Sequence, residues 1–303
     1  MYLRHFGLRE LPFSITPDTS FFFSSGGSQE ALNTLLIAAR TGEGFIKITG
    51  EVGTGKTLLC RKLMAQLGPE FFVAYIPNPY LDPAALFMEL GCELGLEFEP
   101  GSNLNRHELL KAVSNRLVEL ASEGKHVVIC LDEAQAMPIE SLEALRLLTN
   151  LETEKRKLLQ VIIFGQPELD FKLNHASVRQ LKQRIAFDYR LGPMTSTEIN
   201  YYLQHRMVIA GYQGGQLFDA VGIWLLKRRT GRIPRLVNIV AHKSLLSAFG
   251  KGKRRVGFFD VLAACRDTSS LDRGTPANPV RVLMGAILIA GCIAAFTTWM
   301  NNL

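Results

Sequence analysis

Cysteine is scarce in this chain, and its distribution argues against two classes of small stabilised domain. The 303 residues contain five scattered cysteines, an odd number, and no C-x-x-C pair. Zinc ribbons and a disulfide framework are therefore poorly supported, and buried, reduced thiols in the cytoplasm are the better interpretation. Internal repeats and low-complexity tracts are missing. The first six residues carry charge and lack the apolar core of a signal peptide.

A strong excess of one charge is also missing. The net charge is +6 and the isoelectric point is near 9.1. This mild basicity suits nucleic acid, an anionic membrane surface or simply solvated lysines, so charge alone does not distinguish these classes. The length and a hydrophobic content of 47% allow two domains with packed cores.

A strand-like run at residues 44–49 leads directly into a complete phosphate-loop pattern, G-x-x-x-x-G-K-T. Its glycines let backbone N–H groups converge on anionic oxygens at the start of a helix. Lys56 adds a positive charge for the β- and γ-phosphates, and the Thr57 hydroxyl can ligate Mg²⁺. The pattern predicts a nucleoside triphosphate site formed by Gly50, Glu51, Val52, Gly53, Thr54, Gly55, Lys56 and Thr57.

A second apolar run, residues 127–131, ends in Asp132 and Glu133. In phosphate-loop proteins the first acid holds the Mg²⁺ shell, and the second can polarise a water molecule for attack on the γ-phosphate. Ligands of parallel sheets gather outside the carboxyl ends of the strands, where these acids would lie. The alternative is that the two acids merely open the next loop. Because both acids follow a complete phosphate loop, we expect hydrolysis and not binding alone.

Two segments could supply an arginine to the γ-phosphate. Arg179 or Arg184, on a predicted helix, could reach the phosphate of a neighbouring subunit, although both could equally lie on a solvated face. Arg235, in the first turn of a helix that begins at Pro234, could reach the phosphate within one subunit. Gln166, just after the fourth predicted strand, could sense the γ-phosphate or simply form a turn.

Strand-like and helix-like segments alternate through the first part of the chain, which predicts an α/β fold with a parallel sheet. An Asn105-x-x-Glu108 capping box and a proline at 138 predict the starts of two of the intervening helices. After Leu191 the pattern turns helical, with starts near Thr195, Gln216 and Pro234. The predicted strands span residues 45–49, 71–76, 126–131 and 158–164.

The end of the sequence is apolar. Residues 282–300 form about nineteen uncharged residues, which at about 1.5 Å per residue nearly span a bilayer core of roughly 30 Å. Arg266, Arg273 and Arg281 precede this run, so the preceding part of the chain is expected in the cytoplasm. A buried terminal helix is the alternative. The predicted domains are 1–192 (nucleotide-binding), 193–267 (small helical domain), 268–281 (linker) and 282–300 (transmembrane helix).

Several motifs in order resemble the ExeA/GspA branch of the AAA+ ATPases. They are GEVGTGKT, LDEAQ, FGQPEL, RQLxQRI and GxIPRLxN, preceded by the aromatic- and proline-containing start of the chain. Within the branch, the chain is similar to members associated with the mannose-sensitive haemagglutinin type IV pilus. The resemblance covers residues 1–265.

The resemblance implies a parallel-sheet AAA+ core with a helical lid, hydrolysis of ATP with Mg²⁺, and a homo-oligomer. It also implies a role at the bacterial inner membrane in assembling a type IV pilus or type II secretion machine. By the same resemblance, Arg184 is the arginine finger and Arg235 is the sensor residue of the lid. ExeA-like members carry a peptidoglycan-binding domain after the span, whereas this sequence stops at Leu303, which puts direct peptidoglycan contact in doubt. Ser28 stands where the branch commonly has histidine.

Two alternatives stay open at this point. The first is a DNA-handling AAA+ ATPase of the transposition or replication-loader type, because residues 251–255 form a compact basic cluster. A bilayer anchor disfavours nucleic acid as the partner, and a solvated turn would also explain the cluster. The second alternative is a nucleotide-gated scaffold that hardly hydrolyses ATP, which would need Glu133 or the arginines to be idle.

Overall fold

The computed structural model describes residues 2–99, 104–152 and 157–271. The predicted transmembrane segment, 282–300, and most of the predicted linker lie outside the described residues. Among the residues that are described, no helix is both long and apolar enough to cross a membrane.

In the described part of the chain, five parallel strands form one sheet in the order β2-β3-β4-β1-β5. The central strands are buried along almost their whole length and are mainly apolar, because helices cover both faces of the sheet. Four of the five strands were predicted, to within a residue or two at their ends. The strands are β1 (Phe45–Gly50), β2 (Phe71–Ile76), β3 (His126–Leu131), β4 (Leu159–Gly165) and β5 (Ile185–Leu191).

Strand β5 corrects the sequence interpretation of the RQLxQRI segment. The predicted helix ends after one turn, at Arg179–Lys182, and Arg184 stands in the turn that precedes the strand. Along β5, partly buried residues alternate with exposed ones, as in a strand with one face on the core. Among the strands that the structure describes, this edge strand pairs with β1 alone. Its sequence pattern therefore has a period of two and lacks the long apolar run of a central strand.

Helices flank the sheet, and they are the main elements of the described residues after β5. Helix α5 begins with the predicted capping box, in which Asn105 and Glu108 cap each other's backbone N–H groups. The described helices are α1 (Tyr2–Phe6), α2 (Gly26–Thr41), α3 (Lys56–Gln66), α4 (Pro83–Glu93), α5 (Arg106–Ser122), α6 (Ile139–Leu148), α7 (Glu168–Leu173), α8 (Arg179–Lys182), α9 (Glu198–Ile209), α10 (Ala220–Thr230), α11 (Pro234–Gly250) and α12 (Phe258–Arg266).

The last of these helices, α12, was not predicted. It is short, and it packs mainly on α10 and α11. Helix α10 begins at Ala220, where Asp219 caps it, and not at Gln216 as the sequence suggested. The residues before it are engaged in a bridge between Phe218 and Val256, which holds them out of the helix.

Among the described residues, most of the buried apolar side chains belong to three clusters. Two of them lie on the two faces of the sheet, and the third joins helices α9 to α12. Tyr2, Phe6, Phe13 and Phe21 belong to the third cluster, although they precede the sheet in sequence. The N-terminal segment therefore packs with the C-terminal helices, whereas the predicted boundaries assign it to the nucleotide-binding domain.

Asp260 is the fully buried acid of this helical cluster. Its carboxylate accepts hydrogen bonds from Lys251 Nζ at 2.6 Å, Lys253 Nζ at 3.3 Å and Gly257 N at 3.2 Å. Burial opposes its ionisation, but these donors outweigh burial and lower the pKa of Asp260. Two lysines of the basic cluster are thus bound to an acid inside the protein.

We expect Asp260→Ala to lower the free energy of unfolding by about 1–3 kcal/mol, because four donors lose their acceptor: the three above and Ser247 Oγ, at 3.2 Å. Urea denaturation measures the change. Asp267→Ala is the control, since that carboxylate is 79% exposed in its ion pair and its loss should cost less than about 1 kcal/mol. Equal losses in the two variants would contradict a special role for the buried acid.

Candidate nucleotide-binding site

The predicted phosphate loop, residues 50–57, connects the end of β1 to the start of α3. Gly53 and Gly55 have φ values of 83° and 102°, which side chains rarely adopt. A Cβ atom on Gly53 would lie 2.4 Å from Cβ of Arg235, so this position also needs glycine for close approach. The loop therefore turns back at the N-terminus of α3, where backbone N–H groups favour anions.

Lys56 lies inside the loop and is only 5% exposed. Its ammonium donates to the carbonyl oxygens of Gly50, at 2.8 Å, and Glu51, at 3.1 Å. Burial lowers the pKa of Lys56, and the carboxylates of Glu133 and Asp132 oppose that shift. The loop thus holds a cation beside the two acids at the end of β3.

Thr57 and Asp132, the two predicted Mg²⁺ ligands, are in direct contact. Thr57 Oγ1 donates to Asp132 Oδ2 at 2.6 Å, and the Glu133 N–H donates to Asp132 Oδ1 at 2.9 Å. Burial raises the pKa of Asp132, against these hydrogen bonds. One carboxylate and one hydroxyl fit Mg²⁺, which proteins commonly bind through one or two carboxylates together with substrate phosphates.

Glu133 adopts a left-handed conformation, with a φ of 52°. Its Oε2 accepts hydrogen bonds from Gln135 Nε2 at 2.6 Å and Gln166 Nε2 at 3.1 Å. The structure therefore places the predicted sensor Gln166 against the predicted water-activating acid. Gln135 was not assigned a role from the sequence, although it belongs to the LDEAQ motif.

A cleft of about 360 Å³ runs over the phosphate loop. A second cleft, of about 310 Å³, shares Gly55, Leu58, Tyr202, Arg206 and Pro234 with it, so the two are contiguous. This space lies within the usual range for small-molecule and cofactor sites. Arg235 lines the cleft, and its backbone N–H donates to the Gly53 carbonyl at 3.2 Å, which joins the start of α11 to the loop.

The comparisons with known proteins agree with this geometry. Residues 39–173, which include the phosphate loop and both acids, match the family described as AAA domain. General secretion pathway protein A of Aeromonas hydrophila is 38% identical over 292 residues, which cover 96% of this chain. These two findings support the ExeA/GspA-type AAA family for this chain. The chain spans about half, 53%, of that relative's length.

Solved structures share the fold of this chain. Cdc6p from Pyrobaculum aerophilum is 22% identical, with a TM-score of 0.67 over 82% of this chain and 70% of that one. The Aeropyrum pernix ORC1 protein, solved in complex with DNA, is 19% identical, with a TM-score of 0.61 over 84% of this chain and 69% of that one. The predicted α/β class with a parallel-sheet AAA core is confirmed.

The two other predicted arginines lie away from the cleft. Arg179 and Arg184 are exposed and do not line it. Arg184 Nη1 donates to Thr149 Oγ1 at 3.1 Å, which holds this side chain near the end of α6. Within one subunit the structure therefore groups Arg235 with the phosphate loop and leaves Arg179 and Arg184 apart from it.

The sequence did not reveal the N-terminal wall of the cleft. Residues 14–18 line it, opposite Arg206 and Asn238 of the C-terminal helices. Arg206 is buried; it donates to the Pro12 and Ser14 carbonyl oxygens, and Asn238 Nδ2 donates to Ser14 as well. The sequence indication of this wall was a single arginine on the apolar face of α9. No local pattern connects that arginine to residues nearly two hundred positions earlier.

Proposed function

We propose that this GspA-type ATPase is anchored in the bacterial inner membrane and uses ATP hydrolysis to assemble a type IV pilus or a type II secretion machine. One observation carries the enzymatic part of this proposal. Lys56, the Thr57–Asp132 pair and Glu133 converge at one end of the sheet, beside the cleft and the first turn of α11. Phosphoryl transfer depends mainly on such positioned charges.

Each residue of the site has a distinct role in hydrolysis. The loop N–H groups and Lys56 bind the β- and γ-phosphates, and Thr57 and Asp132 hold Mg²⁺. When bound, Mg²⁺ neutralises negative charge on the phosphates. Glu133 accepts a proton from the attacking water. Gln166 lies close enough to the Glu133 carboxylate to orient that carboxylate.

Arg235 is proposed to couple the site to the helical lid. It lies in the first turn of α11, and both its backbone and its Cβ atom lie against Gly53 of the loop. A shift of the loop on nucleotide binding or hydrolysis would therefore displace the start of α11. We divide the chain accordingly into a nucleotide-binding domain, 1–192, and a lid, 193–267, with the N-terminal segment packed against the lid.

Membrane anchoring is proposed from the apolar sequence of residues 282–300 and the preceding arginines. We expect the full chain to stay in inner membranes after a carbonate wash, with the ATPase domains accessible to protease from the cytoplasmic side. A matched chain that ends at residue 271 should be released into the soluble fraction. Recovery of the full chain in that fraction would contradict the anchor.

The proposed partners are inner-membrane proteins of a pilus or secretion machine. The name of the relative, general secretion pathway protein A, supports secretion, and the motif resemblance supports a pilus related to the mannose-sensitive haemagglutinin type. We expect deletion of the gene to remove either surface pili or secreted proteins, with restoration by the intact gene but not by Lys56→Ala. Normal levels of both would overturn this role.

Catalysis in trans is proposed for Arg184, within a homo-oligomer. We expect Arg184→Ala to lower kcat by about 10³-fold or more without much change in ATP affinity, because an added arginine stabilises charge only in the transition state. Arg179→Ala is the comparison, since that side chain is also exposed. Steady-state hydrolysis and nucleotide titration measure the two quantities.

Mixing variants tests whether Arg184 acts on a neighbouring subunit. A Lys56→Ala subunit binds no ATP but still carries Arg184, so adding it to Arg184→Ala subunits should restore part of the activity. If mixing restores nothing, the trans-acting role loses its support. If Arg179→Ala shows the loss and the rescue, the assignment moves to Arg179.

DNA handling is the second candidate, suggested by the basic cluster at residues 251–255. The structure of that cluster argues against this candidate, because Lys251 and Lys253 are bound to the buried Asp260. Arg254 and Arg255 are exposed. The similarity to a DNA-bound structure concerns the fold alone. Salt-sensitive binding of duplex DNA that weakens in Arg254→Ala would favour this candidate.

A further inference from the structure

Glu133 is held by hydrogen bonds that end on only one of its carboxylate oxygens. Oε2 accepts from Gln135 Nε2 and from Gln166 Nε2, at 2.6 and 3.1 Å. Oε1 accepts no hydrogen bond from any residue that the structure describes. The backbone of Glu133 is left-handed, a strained conformation for a non-glycine residue that is typical of functional sites. One oxygen is thus anchored, and the other is left to bind water.

Gln135 is itself fixed at both ends of its amide. Its Oε1 accepts from the backbone N–H of Gln166 at 2.9 Å, while its Nε2 donates to Glu133. This pattern assigns the orientation of the amide, because a backbone N–H requires the oxygen and a carboxylate requires the nitrogen. Gln135 therefore connects the end of β4 to the acid that follows β3.

We propose that Gln135 is a positioning residue for ATP hydrolysis, which holds the Glu133 carboxylate so that its free oxygen faces the attacking water. The inference rests on the proposed role of Glu133. A glutamate side chain has several rotatable bonds, and a displacement of about 1 Å at a reacting group can lower a rate about 10²-fold. The hydrogen bond from Gln135 to Glu133 is shorter than the bond from Gln166. The Gln135 amide is also held by the backbone N–H of Gln166, directly after β4.

Two variants separate the two ends of the Gln135 amide. Gln135→Ala removes both hydrogen bonds, and Gln135→Glu keeps an acceptor for the Gln166 N–H but has no donor for Glu133. We expect both to lower kcat by about 10–100-fold while changing the Kd for a fluorescent ATP analogue less than about twofold. Gln213→Ala, an exposed glutamine in the loop after α9, is the control and should hydrolyse ATP normally.

A double-mutant cycle distinguishes positioning from general support of the fold. The turnover of Glu133→Gln and of Glu133→Gln/Gln135→Ala is measured with radiolabelled ATP and excess protein. If Gln135 acts through Glu133, the second substitution should lower the remaining rate by less than about threefold. A loss as large as in the parent protein would overturn the inference, as would normal kcat or weakened ATP binding in both single variants.

The same cycle separates this inference from the proposed function. Normal turnover of Glu133→Gln would show that Glu133 is not the base, and the proposed roles of Glu133 and Gln135 would both fall. A stalled Glu133→Gln together with full additivity of Gln135→Ala would remove only the role of Gln135. Urea denaturation of each variant shows whether the chain is folded, and Gln135→Glu keeps the test usable if Gln135→Ala is unstable.

Discussion

Lys56→Ala should no longer bind ATP at concentrations that saturate the parent protein. The lysine is buried within the phosphate loop, and its ammonium already lies against two loop carbonyl oxygens and near two acids. Its loss removes charge-assisted hydrogen bonds to phosphate oxygens, each worth about 1.5–3 kcal/mol. Two such bonds correspond to a rise in Kd of roughly 10²-fold or more.

Calorimetric titration with ATP and Mg²⁺ measures this loss. Lys62→Ala is a matched control because it removes the same charge from the same helix, α3, where the lysine packs against the ring of Phe22. We expect the control to bind ATP nearly as the parent does. ATP binding by Lys56→Ala with unchanged affinity would mean that the loop is not the phosphate site.

Glu133→Gln should have the opposite profile, with ATP still bound and turnover stalled. Glutamine has the shape of glutamate, and its carbonyl oxygen can still accept hydrogen bonds from Gln135 and Gln166, so the site keeps its geometry. It cannot accept a proton from water. General-base catalysis contributes about 10²–10⁴-fold, and kcat should fall by that factor.

Single-turnover hydrolysis and nucleotide titration on the same preparation check this result. The control is Glu140→Gln, which neutralises an exposed acid in the first turn of α6 and should hydrolyse ATP normally. A Glu133→Gln protein with normal turnover would end its assignment as the water-activating residue. Weakened ATP binding instead would place Glu133 in the binding step.

Most of the sheet could be predicted because its central strands are marked locally. Strands β1 to β4 are predominantly apolar, and the phosphate loop and both acids follow two of them directly. Strand β5 was missed for a physical reason. It is at the edge, half of its residues face solvent, and the preceding one-turn helix made the whole segment resemble a longer helix.

The candidate site was predicted in part. Lys56, Thr57, Asp132 and Glu133 belong to contiguous motifs, so their chemistry could be inferred before any contact was known. Gln135 lies in the same motif, but its role depends on a hydrogen bond to the backbone after β4. Residues 14–18 and the side chains opposite them are far apart in sequence, and no period or spacing relates them.

Local sequence alone established a triphosphate-binding ATPase on an α/β sheet, because a phosphate loop and strand-end acids act through neighbouring residues and a repeating backbone. Folding in three dimensions decided which distant groups complete the site. The order of the strands brings β4 between β1 and β3, which places Gln166 beside Glu133 and Gln135. Packing of the N-terminal segment against α9 and α11 forms one wall of the cleft, where buried Arg206 donates to the Pro12 and Ser14 carbonyl oxygens.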